Sequence, residues 1–180
     1  MIQTKGTATV PFSFFPLASM ANEQVIASIR QIIEAQLAPE PEFFLVEVRI
    51  KPTNNVKVFI DGDKGIPVEK LVQLNRALYA QLEAAALFPD GDFSLEVSSP
   101  GLDEPLKMHR QYLKNIGRKV EVTLLDGAIK EGTLLAVTED QLTLEETPPR
   151  KKGVKPDPKL SKQLNIHFTE IKHTVVCIVF

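Results

Sequence analysis

From Val25 to Leu37 the apolar residues Val25, Ile26, Ile29, Ile32, Ile33 and Leu37 recur at spacings of three and four, which predicts an amphipathic helix. Asn22 is placed to cap it, and Pro39 with Pro41 ends it. The period then drops to two. FFLVEVRIK puts Phe44, Val46, Val48 and Ile50 on one face of a strand. After the turn TNN, VKVFID does the same with Val56, Val58 and Ile60. Pro67 suits the first turn of a second helix with Val68, Leu71, Val72, Leu78 and Leu82 as its buried stripe, and DFSLEV supplies a third strand through Phe93, Leu95 and Val97. The predicted order is αββαβ: two helices covering the one apolar face of an antiparallel sheet.

That pattern stops at SSPGLDEPL, Ser98 to Leu106. Pro100 fixes its own φ and holds Ser99 extended, and a positive φ at Gly101 would complete a type II turn over Ser99 to Leu102. A nucleophilic Ser98 or Ser99 would need a strand-to-helix elbow such as G-x-S-x-G, which is missing. Ser98, Ser99, Pro100, Gly101, Leu102, Asp103 and Pro105 therefore read as a rigid interdomain turn, with Asp103 capping nearby backbone N–H groups.

Beyond the turn the chain predicts a short helix at His109 to Asn115 and then five short strands, RKVEVTLL, AIKEGTLLAV, QLTLEE, QLNIHF and HTVVCIVF. The Asp126-Gly127 pair marks a hairpin, and the strand count fits a small closed β-barrel of the SH3 or Sm-like kind. The fold class expected is α+β: an N-terminal αββαβ two-layer domain followed by that barrel. TPPRKKGVKPDPKLSK has four prolines and projects as a loop. The expected divisions are an extraneous or disordered arm at 1–19, an α/β domain at 20–98, a rigid linker at 99–107 and a barrel at 108–180.

Composition narrows the function classes. The 180 residues are 43% hydrophobic and 24% charged, ordinary for a globular chain. Cys177 is the one cysteine, in the apolar run TVVCIVF, so it reads as a buried strand residue in a reducing compartment, and a cytoplasmic location is expected. His109, His167 and His173 lack zinc-site spacing, and neither a metal nor a cofactor is expected. The run ATVPFSFFPLASMA resembles a signal peptide superficially, but Pro11 and Pro16 break its apolar core. No apolar run reaches the length of a membrane span.

Charge divides at the turn. Residues 1–106 hold 8 Lys and Arg against 14 Asp and Glu, whereas residues 107–180 hold 13 against 9. The near-neutral total of −2 conceals an acidic half and a basic half, and an RNA-containing or otherwise anionic partner fits the second. Arg150 to Lys162 carries five lysines and one arginine against Asp157 alone. GDKG, Gly62 to Gly65, matches the GXXG of KH domains, but it leaves a strand and reads as a turn. Asp61 and Asp63 lack the other positions of a calcium loop. No Walker loop or dinucleotide fingerprint is present, which argues against an enzyme.

The string V-S-S-P-G-L-D-x-P-L at Val97 to Leu106 resembles the signature of the ribosome maturation factor RimP family. H-x-x-Y-x-x-x-I-G-R-x-V at His109 to Val120, G-x-L at Gly132 to Leu134 and I-x-F-x-E-I at Ile166 to Ile171 follow in the family's order. Glu104 departs from the pattern, where a basic residue is usual, and the basic insertion Pro148 to Lys162 is long. The resemblance implies a monomeric, non-enzymatic factor that binds the immature small ribosomal subunit. Its expected partners are ribosomal RNA and a small-subunit protein near the decoding region, with no membrane or small-molecule substrate. Arg110, Lys114, Arg118 and Lys119, with Arg150, Lys151, Lys152, Lys155, Lys159 and Lys162, are the candidate ribosome- or RNA-binding residues. The alternative is an Sm-like RNA-binding regulator acting away from the ribosome, built as a ring.

Overall fold

The computed structural model describes residues 17–88, 90–146 and 162–177. Helix α1 spans Leu17–Leu37, beginning ahead of the expected Asn22 cap. Between Pro16 and Asn22 no residue opposes a helix, so Leu17 to Ser19 are helical rather than part of an arm. Residues 1–16 lie outside the described residues. Strands β1, Phe43–Lys51, and β2, Asn55–Gly62, pair antiparallel. Thr53 and Asn54 both adopt positive φ at their turn, as a tight hairpin requires.

A bulge in β1 alters the predicted face. Leu45 pairs with Ile60 but Glu47 with Phe59, so Val46 is the extra residue and the alternation changes parity there. Leu45 and Val48 therefore enter the helix-covered core, flanked by Phe43 and Ile50, while Phe44 turns to the opposite face. Helix α2, Val68–Ala84, buries Leu74, Leu78 and Leu82. Val68 and Val72, expected in that stripe, are 69% and 44% exposed. Strand β3, Ser94–Ser98, pairs parallel to β2, so the sheet is mixed rather than antiparallel. The α2 crossover explains this, because a helix between neighbouring strands returns the chain to the end where it started. Ile29, Ile33, Val56, Val58, Ile60 and Leu78 are the fully buried centre of this domain.

The C-terminal unit opens with helix α3, His109–Lys114. Strands β4 (Lys119–Leu124), β5 (Ile129–Val137), β6 (Gln141–Glu146), β7 (Lys162–His167) and β8 (Ile171–Val176) follow. They form one antiparallel sheet in the order β7-β6-β5-β4-β8. Asp126 accepts a bond from the Ala128 N–H at 2.8 Å and Gly127 takes positive φ, as the hairpin signal predicts. Among the described residues no ladder joins β7 to β8, so the closure expected of a barrel is not part of this hydrogen bonding. Val120, Val122, Leu134, Leu142 and Leu144 are the fully buried centre of this second core, and Tyr112 of α3 is buried against it. The basic insertion falls outside the described residues, except Lys162, which begins β7.

Gly132 of β5 is the tightest backbone approach in the second sheet: a Cβ there would run into the carbonyl of Glu145 on β6. Gly132→Val therefore forces the two strands apart and is expected to lower stability by about 2 kcal/mol, read from the urea midpoint.

Candidate functional site

Helix α3 joins the two units because its short length presents two faces. His109 and Tyr112, three apart, meet the C-terminal sheet: the His109 ring bonds the Thr138 carbonyl at 2.9 Å, and Tyr112 packs edge-on to Phe168. Arg110 and Lys114, four apart, reach the N-terminal domain instead. The Arg110 guanidinium donates to both Asp63 oxygens at 2.9 and 2.6 Å and to the Pro41 carbonyl at 2.7 Å, and lies 4.4 Å from the Phe44 ring centroid. The bulge matters here, because it turns Phe44 away from the helix-covered core. Lys114 donates to both oxygens of Asp61 at 2.6 and 2.5 Å.

Asp61 is 5% exposed and also accepts the Gly62 N–H at 2.8 Å and the Gln111 amide at 3.4 Å. The other end of the Gln111 side chain accepts the N–H groups of Lys107 and Met108, tying the start of α3 to the same carboxylate. A second network holds the linker. Arg49 of β1 grips Glu104 through two bonds of 3.3 and 2.9 Å and pairs with Glu47 at 2.6 Å, which in turn pairs with Lys107 at 2.5 Å. Glu104, the departure from the signature, thus serves as the carboxylate that Arg49 binds.

These contacts set the local acidities. Hydrogen bonds from Arg110 hold the Asp63 carboxyl below the ordinary carboxylate range, and those from Arg49 do the same to Glu104. Burial alone would raise the Glu47 carboxyl, but hydrogen bonds from Arg49 and Lys107 overturn that and hold it low. Arg49 is shifted upward by its bonds to Glu104 and Glu47.

The interdomain turn differs from its expected form. Gly101 is not among the positive-φ glycines, and the turn closes two residues later, with the Glu104 N–H on the Gly101 carbonyl at 3.1 Å. A Cβ on Gly101 would meet only the Asp103 carboxylate, the end of an exposed side chain that can swing aside. Past Pro105 the Leu106 N–H bonds the Thr174 carbonyl of β8 at 2.8 Å, fixing the linker to the second sheet. The GDKG segment is a turn, with the Gly65 N–H on the Gly62 carbonyl at 2.9 Å.

Of the basic candidates, Arg110 and Lys114 are engaged within the molecule, and Lys119 pairs with Glu131 of β5. Arg118 is exposed, forms no ion pair among the described residues, and lines a junction cleft of about 50 Å³ together with Asp61, Gln111, Lys114, Asn115 and Leu102. That volume holds about one or two waters. Lys162 is exposed at the start of β7, and Arg150, Lys151, Lys152, Lys155 and Lys159 lie outside the described residues. Sequence reasoning missed Asp61, Asp63, Arg49, Glu47 and Gln111 as junction residues. The opposite charge of the two halves was the signal that could have found them.

Fold and junction define a two-unit α+β protein, in which an α/β domain and an antiparallel sheet are clamped by ion pairs around a proline-bearing linker. A family described as the RimP N-terminal domain matches residues 32–103. The ribosome maturation factor RimP of Flavobacterium psychrophilum is 30% identical over 154 residues, covering 84% of this chain and 96% of that protein. That of Christiangramia forsetii is 31% identical over 153 residues, 84% and 97% of the two chains, and that of Porphyromonas gingivalis is 33% identical over 138 residues, 74% and 86%. The chain belongs to the RimP family.

Two predictions follow from this junction. Asp61→Ala removes the buried counter-charge of Lys114 and is expected to cost about 2 kcal/mol in urea unfolding, more than Asp63→Ala at its half-exposed pair. Acid should act on the Asp63, Glu47 and Glu104 contacts. Carboxyls held low in the folded state contribute stability that is complete above their ordinary value of about 4 and is lost as pH falls through the folded-state value. The radius of gyration from X-ray scattering is thus expected to rise below about pH 4 while far-UV circular dichroism still shows both folded units. A constant radius up to the loss of circular dichroism would contradict it.

Proposed function

We propose that this protein is a ribosome maturation factor that binds the immature small subunit and assists its late maturation without catalysis. The observation that carries the reading is the match to RimP proteins across both halves of the chain, from the α/β domain through the second sheet. The charge partition supports it, since a basic C-terminal half joined to an acidic N-terminal half suits an assembly that contains both RNA and basic proteins.

In this reading the C-terminal unit acts as an SH3- or Sm-like barrel. Arg118 and Lys162, with Arg150, Lys151, Lys152, Lys155 and Lys159, contact ribosomal RNA or a ribosomal protein near the decoding region. Arg110, Lys114 and Lys119 act mainly by positioning, because their cations already have carboxylate partners. The linker 99–107 fixes the angle between domains 20–98 and 108–180. The acidic domain meets a basic ribosomal protein or repels wrong RNA sites. No bond is made or broken: a factor that binds one arrangement of the subunit better shifts its population by that difference in affinity. The protein acts as a monomer in the cytoplasm, and no helix among the described residues is long and apolar enough to cross a membrane.

The test is cosedimentation with small subunits, large subunits and whole ribosomes at two salt concentrations. Salt-sensitive binding to free small subunits alone is expected. Replacing Arg118 and the insertion's cations by alanine should lower the affinity about tenfold or more and flatten the salt dependence. Indiscriminate binding, or a ring-sized particle on a sizing column, would favour the Sm-like regulator instead.

A further inference from the structure

The flank of the N-terminal domain opposite α1 combines three features, of which the ribosome reading uses only the acidic charge. Strand β3 is an edge strand: the sheet order is β1-β2-β3, and among the described residues β3 has no ladder partner but β2. Its Ser94 N–H points to β2, bonding the Asn54 carbonyl at 3.2 Å. Backbone groups alternate sides along a strand, so the N–H and C=O groups of Leu95 and Val97 point outward. Exposed edges are usually blunted by proline, lysine or a bulge, yet SLEVS has none of these and its register with β2 is unbroken.

Beside this edge lies an apolar shelf on α2. At 100° per residue, Val68, Val72 and Tyr79 fall within about 40° of one another, adjacent to the Leu74, Leu78 and Leu82 stripe. The shelf is on the β3 side, because Lys70, across the helix, pairs with Glu40 near the end of α1, while Tyr79 stacks on Phe93 just before β3 at 4.9 Å. All three shelf residues are solvent-exposed, Val68 most of all. The third feature is charge. Glu69 and Glu83 on α2 and Asp90 and Asp92 before β3 are exposed acids without an ion pair among the described residues, against Arg76, while the exposed Glu96 of β3 pairs with Lys57.

We propose that the β3 edge and the α2 shelf form a docking groove for an extended basic segment of a partner protein, which adds to the sheet as a fourth strand. Backbone pairing with Leu95 and Val97 supplies the register, and alternate side chains of the added strand turn to the two faces of the sheet. Apolar residues on one face cover Val68, Val72 and Tyr79. Lysine or arginine on the other meets the Glu96 side, and the acidic surround excludes polyanions. The groove stands independently of the ribosome assignment.

The test uses the full chain and a short fluorescent peptide of alternating lysine and valine, with a glutamate-for-lysine peptide as control. Anisotropy is expected to show binding of the lysine peptide only. Hydrogen exchange of the outward amides of Leu95 and Val97 should slow about tenfold or more on binding. Val68→Ser with Val72→Ser alters exposed positions, so the melting temperature should hold while affinity falls about tenfold. Protection confined to the C-terminal sheet, unchanged affinity in the double variant, or no binding at all overturns the proposal. So does slowing at 94–98 caused by an RNA oligonucleotide, or by raised protein concentration alone, which would assign the edge to RNA or to a second copy of the chain.

Discussion

Asp61 is a carboxylate at the end of β2, almost fully buried, whose one cationic partner among the described residues arrives from the other half of the chain. Removing a charge from water costs several kcal/mol unless a counter-charge and hydrogen bonds replace the solvent, and here Lys114, Gln111 and the Gly62 N–H do so together. The N-terminal domain thus carries a group that is fully satisfied only when α3 is docked. The surrounding pairs, Arg110 with Asp63 and Arg49 with Glu104, are more exposed and individually worth at most about 1 kcal/mol, but their bidentate geometry fixes angle and register. Strength at the junction resides in Asp61, and orientation in the arginines around it.

Much of the fold is legible in the sequence because burial imposes periods that single residues cannot hide. The strand beginning at Phe43, the Asp126-Gly127 hairpin and the five strands of the second half follow from alternation and turn chemistry alone. The errors lie where a local pattern has two tertiary solutions. Val46 alternates in phase with Val48, yet the bulge makes it the extra residue and sends Leu45 to the core, because pairing with β2 overrides parity. Val68 and Val72 share spacing with the buried leucines but lie at the edge of the stripe, where helix placement over β3 decides exposure. Gly101 reads as a left-handed residue after proline, whereas its backbone is not in that region and the turn forms between Gly101 and Glu104 instead.

The candidate site was less legible for a related reason. Local sequence around α3 contains two cations four residues apart, and that pattern is the same whether they meet phosphates or carboxylates some fifty residues upstream. The split of charge between halves was visible, and one of its meanings is docking of the halves to each other. Of the described cations after residue 106, Lys107, Arg110 and Lys114 neutralise acids of the N-terminal domain, and Lys119 and Lys130 pair within their own sheet. What remains for an outside anion is Arg118, Lys162, Lys172 and the insertion. The electrostatic footprint is therefore narrower than the count of basic residues suggests.

Competition sharpens that distinction. A phosphate that recruited Arg110 would have to displace Asp63, Pro41 and the Phe44 ring together, and its apparent affinity would fall by the free energy of those contacts. Arg118 carries no such penalty, since it is exposed and unpaired among the described residues. Arg118 lines the junction cleft together with Leu102 of the linker and with Gln111, Lys114 and Asp61. The same geometry that occupies Arg110 and Lys114 with Asp63 and Asp61 therefore leaves Arg118 as the unpaired cation of the junction among the described residues.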